Sequence, residues 1–127
     1  MIDDDMDDQL LIEDAFKDNS DDYKLEFACD GLEGIQKLNH QKLPDLILLD
    51  LNMPRMNGFE VLARIKMSPS LSHIPIFILS TSTRPDDINF AHQLGASNYF
   101  VKPNKMNELA SFVSKVRDFL SNQKRIK

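Results

Sequence analysis

The chain has 127 residues, a net charge of −5 and one cysteine, which leaves room for a single domain with a genuine core and excludes an internal disulfide. Its apolar fraction of 42% and charged fraction of 28% are ordinary for a globular protein and speak against a disordered or fibrous class. The longest apolar runs, Leu46–Leu49 and Pro75–Leu79, are too short for a bilayer span or a signal peptide, and basic residues cluster only at Lys124-Arg125-Ile126-Lys127, so neither membrane insertion nor a nucleic-acid partner is expected and a cytoplasmic location is.

Taken in order, Met1 and Ile2 precede a dense acid cluster, Asp3-Asp4-Asp5-Met6-Asp7-Asp8. Helical periodicity begins directly after it, with Leu11 and Ala15, and Ile12 and Phe16, as i,i+4 pairs and acids in the first turn where the helix dipole favours them. That helix is expected to stop near Asn19, at the turn signal Asn19-Ser20-Asp21-Asp22. From Tyr23 to Cys29 the chain alternates, with Leu25, Phe27 and Cys29 on one face; this is a strand pattern in which Cys29 reads as a packed core thiol rather than a nucleophile. Leu32, Ile35 and Leu38 return to helical spacing until His40 to Pro44 breaks it.

Leu46-Ile47-Leu48-Leu49-Asp50 then reads as a strand buried on both faces with an acid at its carboxyl end. Asn57-Gly58 opens a helix carrying Val61, Leu62 and Ile65, and Ser68-Pro69 leads out of it to the buried strand Pro75–Leu79, which ends in the hydroxyls Ser80-Thr81-Ser82-Thr83. Pro85 with Asp86-Asp87 starts a short helix over 84–94 that Gly95 caps, and Tyr99-Phe100-Val101 is a last strand closed by Lys102-Pro103. Met106, Leu109, Val113, Val116 and Leu120 mark a final helix over 105–121. The domain is therefore expected over 1–121 with 122–127 as a short polar and basic tail. His40, His73 and His92 are too scattered for metal-ligand spacing and read as ordinary surface or boundary residues. Strand and helix alternate throughout, which predicts an α/β fold: a parallel sheet covered by helices on both sides.

In such a sheet the carboxyl ends of the strands share one edge. That edge collects Asp3, Asp4 and Asp5 after the first strand, Asp50 after the third, Ser80 after the fourth and Lys102 after the fifth. A helix cap would explain any one of them. Their recurrence points instead to the edge where open α/β sheets bind ligands. Asp3, Asp4 and Asp50 together would gather about three negative charges, which cannot all stay ionised without compensation. A divalent cation together with Lys102 balances them, and hard oxygen donors without histidine or thiolate select Mg2+ or Mn2+. With phosphate oxygens on such an ion, Asp50 is placed as a nucleophile toward a phosphoryl group and Ser80 as a donor to the product.

These residues resemble a response-regulator receiver domain of the CheY-like superfamily over essentially the whole chain. The matching motifs are Asp3-Asp4, Asp50-Leu51-Asn52-Met53-Pro54 with Met56-Asn57-Gly58, Ser80-Thr81, Gly95-Ala96-Ser97 and Tyr99-Phe100-Val101-Lys102-Pro103. The resemblance implies a three-layer, doubly wound sheet of five parallel strands in the order 2-1-3-4-5, with the first strand very short or truncated here. It implies phosphorylation of Asp50 by a histidine kinase or phosphotransfer protein. Asp4 and Asp50 would hold Mg2+ or Mn2+ directly, Asn52 through its backbone carbonyl and Asp3 through a water. Ser80 and Tyr99 would form the switch pair, Lys102 would contact the phosphoryl group beside a cis peptide to Pro103, and Asn52 and Ser82 would sit where the family tunes dephosphorylation. A downstream target protein would bind the face formed by 84–94, 99–101 and 105–121, and a homodimer through the 84–121 face is a further expectation.

Two rival classes fit less well. Haloacid-dehalogenase-type phosphatases need a second acid two residues after the nucleophile, where Asn52 stands. A flavodoxin-like cofactor binder needs a phosphate loop after the first strand, which here is acidic. The chain therefore reads as a phosphoacceptor signalling domain rather than an enzyme acting on other substrates, in single-domain form. The alternative is a receiver-like interaction module with weak or lost phosphorylation.

Overall fold

Three short apolar runs make the sheet of the computed structural model, which describes residues 1–17, 23–40 and 42–126; the turn expected at Asn19-Ser20-Asp21-Asp22 lies outside the described residues. The strands are β1 (Ile47–Leu49), β2 (Ile76–Ser80) and β3 (Asn98–Val101). They are parallel and lie in the order β1-β2-β3, with Leu48 beside Phe77 and Ile78 beside Tyr99. Every residue of β1 and β2 is buried, as both-sided burial of a parallel sheet requires. Five strands were expected, and where the first two should lie there are only isolated parallel bridges, Ile2 to Ala28 and Ile2 to Leu49. Ile2 donates its N–H to the Leu48 carbonyl (2.8 Å) and accepts from Asp50 N–H (3.0 Å). On its other side Ala28 N–H reaches the Met1 carbonyl (2.9 Å) and Asp3 N–H the Ala28 carbonyl (3.0 Å). Two ladder bonds on each flank are too few to make a strand.

Among the described residues five helices cover the sheet: α1 (Met6–Lys17), α2 (Gly31–His40), α3 (Gly58–Met67), α4 (Pro85–Gln93) and α5 (Met106–Ile126). The period of two along the strands divides the core into two layers. Ile47, Leu49, Ile76 and Ile78 pack with Leu38 of α2, Val61, Leu62 and Ile65 of α3 and Ala91 of α4. Leu48, Phe77 and Leu79 face the other way, onto Ile12 and Phe16 of α1 and Leu109, Phe112, Val113 and Val116 of α5. The three-layer α/β/α expectation therefore holds.

Several local expectations are corrected. Cys29 is exposed, because the bridge at Ala28 turns that residue inward and the alternation of a strand sends its neighbour out. In α2 the buried stripe is Gly31, Gly34 and Leu38, and Leu32 is exposed: the helix lies so close to Ile2 and Val61 that glycines occupy the contact. Leu11 and Met106 are likewise exposed, one position round from the buried faces of α1 and α5. The last helix runs on to Ile126 through most of the stretch expected as a tail, since nothing between Ser121 and Ile126 breaks a helix and basic residues suit its carboxyl end. None of the described peptide bonds is cis, so Lys102–Pro103 is trans. His40, His73 and His92 are all exposed, as expected.

Candidate functional site at the carboxyl edge

Four buried polar or charged residues lie among the described residues, Asp3, Gln9, Asp50 and Ser80, and three of these stand at the carboxyl ends of the strands or bridges. The acid cluster at residues 3–8 divides its labour. Asp5 is a helix cap: its Oδ1 accepts the N–H groups of Asp7 (2.9 Å) and Asp8 (3.3 Å) in the first turn of α1. Asp3 is fully buried, and its backbone is held twice, by the Ala28 carbonyl and by Gln9 Nε2, which donates to the Asp3 carbonyl at 2.7 Å. Its Oδ1 accepts Asp5 N–H at 2.9 Å, while its buried Oδ2 has no directed hydrogen-bond donor.

Asp50 leaves β1 with 4% of its surface exposed, and its Oδ1 accepts the Asn52 N–H at 3.3 Å. The following loop is pulled tightly back. Gly58 N–H donates to the Leu51 carbonyl (2.9 Å), and a Cβ on Gly58 would collide with the Asp50 carbonyl and fall 2.6 Å from Cα of Leu51. Asn57 caps α3 by accepting the Glu60 N–H at 3.1 Å. Glycine is thus required there by the approach of α3 to the backbone of the acid, not only by a turn.

Carboxylate oxygens of Asp3, Asp4 and Asp50 all lie within 4.8 Å of one another, Asp4 exposed and the other two buried. Lys102 follows β3, and its N–H donates to the Ser80 carbonyl at 2.7 Å. Its ammonium lies 2.6 Å from Asp8 Oδ2, 3.1 Å from Asp3 Oδ2, off the direction of a hydrogen bond, and 3.5 Å from Asp50 Oδ1. One cation shared among so many acids leaves them undercompensated. Burial pushes the Asp50 carboxyl up to about 6, with the Asp3 charge adding to this and Lys102 opposing it. Asp3 is raised as well, chiefly by burial. Burial alone would lower Lys102, but its bond to Asp8 and the charges of Asp3 and Asp50 push it up. An oxygen-only donor set with a buried, undonated carboxylate oxygen fits a hard divalent cation.

Ser80 is fully buried at the end of β2, and its Oγ accepts the Ser82 N–H at 3.1 Å. Tyr99 of β3 donates its hydroxyl to the Ser82 carbonyl at 2.8 Å. The two expected switch residues are therefore joined through Ser82 rather than directly. Asn52 is exposed and touches Asp50 through its backbone N–H. Asp8 and Gln9 were not singled out from the sequence. The one available signal for Asp8 is that five of the six residues from Asp3 to Asp8 are aspartates, more than one helix start needs.

The profile of the response regulator receiver domain matches residues 1–114. The chain belongs to the response regulator receiver family. All the edge residues described above fall inside that match. The receiver domain is 34% identical over 125 residues to the response regulator Rcp1 of Synechocystis sp., covering 94% of this chain and 85% of that protein. Among solved structures it superposes on the Mn2+-bound form of Rcp1 with a TM-score of 0.83 at 34% identity, covering 93% of this chain and 89% of the other. It superposes on the phosphorylated cyanobacterial phytochrome response regulator RcpA with a TM-score of 0.87 at 34% identity, covering 96% and 91%. Receiver domains are signalling domains, and this one has the CheY-like receiver fold. Among the described residues no helix is long and apolar enough to cross a membrane.

Proposed function

We propose that this receiver domain takes a phosphoryl group on Asp50 from a histidine kinase or phosphotransfer protein of a two-component system and signals by protein contact in the cytoplasm. The observation that carries this reading is the gathering of Asp50 with Asp3, Asp4 and the Lys102 ammonium at one rim. In this reading Ile2 and Ala28 mark the first two strands of a 2-1-3-4-5 sheet, the first very short, and the receiver unit spans 1–121.

The carboxylates of Asp3, Asp4 and Asp50, with the Asn52 backbone carbonyl, would hold Mg2+ or Mn2+; the Mn2+-bound relative supports that choice. When bound, the ion supplies positive charge to the phosphoryl oxygens. An Asp50 oxygen forms the new O–P bond as the P–N bond of the donor phosphohistidine breaks, its electron pair leaving on the imidazole nitrogen. Lys102, already 3.5 Å from Asp50 Oδ1, offsets the added charge. Because Ser80 Oγ accepts from Ser82 N–H, its own proton is free to donate to the product. Asn52 lacks the acid that would protonate a leaving group two residues on, so the aspartyl phosphate persists as a signal, with Asn52 and Ser82 placed to tune its lifetime. Ser80 and Tyr99 form the switch, and the 84–121 face passes it to a downstream protein or to a second copy in a homodimer.

Incubation with acetyl phosphate and Mg2+ followed by intact-mass measurement tests the reading. One added phosphoryl group is expected in the wild type and none in Asp50→Ala. A wild type that gains nothing would leave the domain as an interaction module.

A further inference from the structure

Helix α4 begins without a conventional cap. Its N-cap position is Arg84, which makes no side-chain capping bond, and Pro85 fills the first turn. The missing contact is supplied from two residues further back. Ser82 Oγ accepts the Arg84 N–H at 3.2 Å and donates to Asp87 Oδ2 at 2.6 Å. Its other two polar groups are committed as well, the N–H to Ser80 Oγ at 3.1 Å and the carbonyl to the Tyr99 hydroxyl at 2.8 Å. Ser82 is thus the only one of the loop hydroxyls Thr81, Ser82 and Thr83 to hold bonds toward both sides among the described side chains.

We propose that Asp87 is a positioning residue for the Ser80–Tyr99 pair, acting through Ser82. This rests on the reading of Ser80 as the residue that meets the phosphoryl group. The Ser82–Asp87 bond is charge-assisted and short, the strongest kind available to a hydroxyl. It ties the loop to the first turn of a helix, so the backbone of Ser82 is fixed at the point where it sets both the Ser80 hydroxyl and the Tyr99 ring. Releasing Asp87 lets the loop turn, which withdraws the acceptor from Tyr99 and the N–H from Ser80 together. Asp86 is the natural control: it stands beside Asp87 in the same first turn, so it gives the helix the same favourable charge, and it makes no bond to Ser82.

Two measurements on the full chain test this. The first is tyrosine fluorescence and ring NMR of Tyr99 in a Tyr23→Phe background, without phosphoryl donor. The second is the lifetime of the aspartyl phosphate after acetyl phosphate is removed. Asp87→Ala and Ser82→Ala are expected to shift the Tyr99 signal alike, with the double variant adding nothing further. Both are expected to change the phosphoryl lifetime on the order of three- to tenfold. Asp87→Asn, which keeps an acceptor oxygen but loses the charge, is expected to fall between wild type and Asp87→Ala, and Asp86→Ala to match wild type in both measurements. An Asp86→Ala shift as large as that of Asp87→Ala, or an unmoved Tyr99 signal in Asp87→Ala, overturns the proposal. If Asp87→Ala weakens α4, Ser82→Ala removes the same bond from the loop side. Should the wild type take no phosphoryl group, the Asp50 reading fails alone, and the Tyr99 signal still decides the role of Asp87.

Discussion

At the carboxyl edge of the sheet one lysine, with 15% of its side chain exposed, stands within 3.5 Å of three carboxylates, those of Asp3, Asp8 and Asp50. Between residues 24 and 37 the chain also pairs lysines with acids, Lys24 with Glu26 at 3.6 Å and Lys37 with Glu33 at 3.5 Å, but with every side chain at least 40% exposed. Lys102 to Asp50 and Lys37 to Glu33 are the same 3.5 Å apart, yet the physics differs. Exposed pairs exchange one solvated arrangement for another and contribute little. At the rim the charges have been taken out of water, and the raised Asp50 and Asp3 carboxyls show that their mutual repulsion and desolvation are only partly offset. Such a site is a liability for folding, which is reason to look for its use in binding and chemistry.

The sharpest way to break the contrast is Lys102→Met. It keeps the length of the stem but leaves Asp3, Asp8 and Asp50 facing one another, and a loss of about 3–5 kcal/mol is expected at neutral pH in urea denaturation with a chelator present. Mg2+ should restore part of that loss in the variant, since a divalent ion offsets the same charge. Lys24→Met, removing the exposed lysine 3.6 Å from Glu26, should change little in the same assay. Comparable losses in the two variants would erase the distinction.

The next test is pH. The Asp50 carboxyl stands at about 6 against 3.8 when unfolded, so the folded protein holds this proton more tightly than the unfolded chain. Stability should therefore fall as pH rises from 3.8 to about 6 and be level above, by on the order of 3 kcal/mol from this group. Asp3 is shifted in the same direction and contributes with the same sign. Subtracting the curve of Asp50→Asn from that of the wild type removes the groups that do not touch Asp50 and leaves Asp50 together with its coupling to Asp3 and Lys102. Stability that rises from pH 4 to 6 in that difference curve would show Asp50 to be stabilised rather than strained.

The two regions were also unequally legible in the sequence. Asp50, Ser80 and Lys102 each end an apolar run, and a parallel sheet puts such ends together whatever the details, so the rim followed from periodicity alone. Asn57 as a cap and Gly95 at a φ of 106° were legible because each needs one residue type at one place. Asp8 was not, because an aspartate in a first helical turn already has a sufficient local explanation, and its bond to Lys102 joins residues 94 apart. The inward face of α2 and the exposure of Cys29 depend on how closely neighbouring segments approach, which no period in a single segment encodes.

The smallest expected effect completes the comparison from the other side. Glu33→Gln removes the charge that faces Lys37 one turn along α2, and the pair is open to solvent on both members. A change of no more than about 0.5 kcal/mol is expected at low salt, shrinking toward zero in 1 M salt, where the Debye length falls to about 3 Å. The Lys102→Met loss should keep most of its size in 1 M monovalent salt, because charges as buried as Asp3 and Asp50 are screened far less than exposed ones. Salt dependence therefore separates the two kinds of ion pair by a property that their N···O distances do not carry.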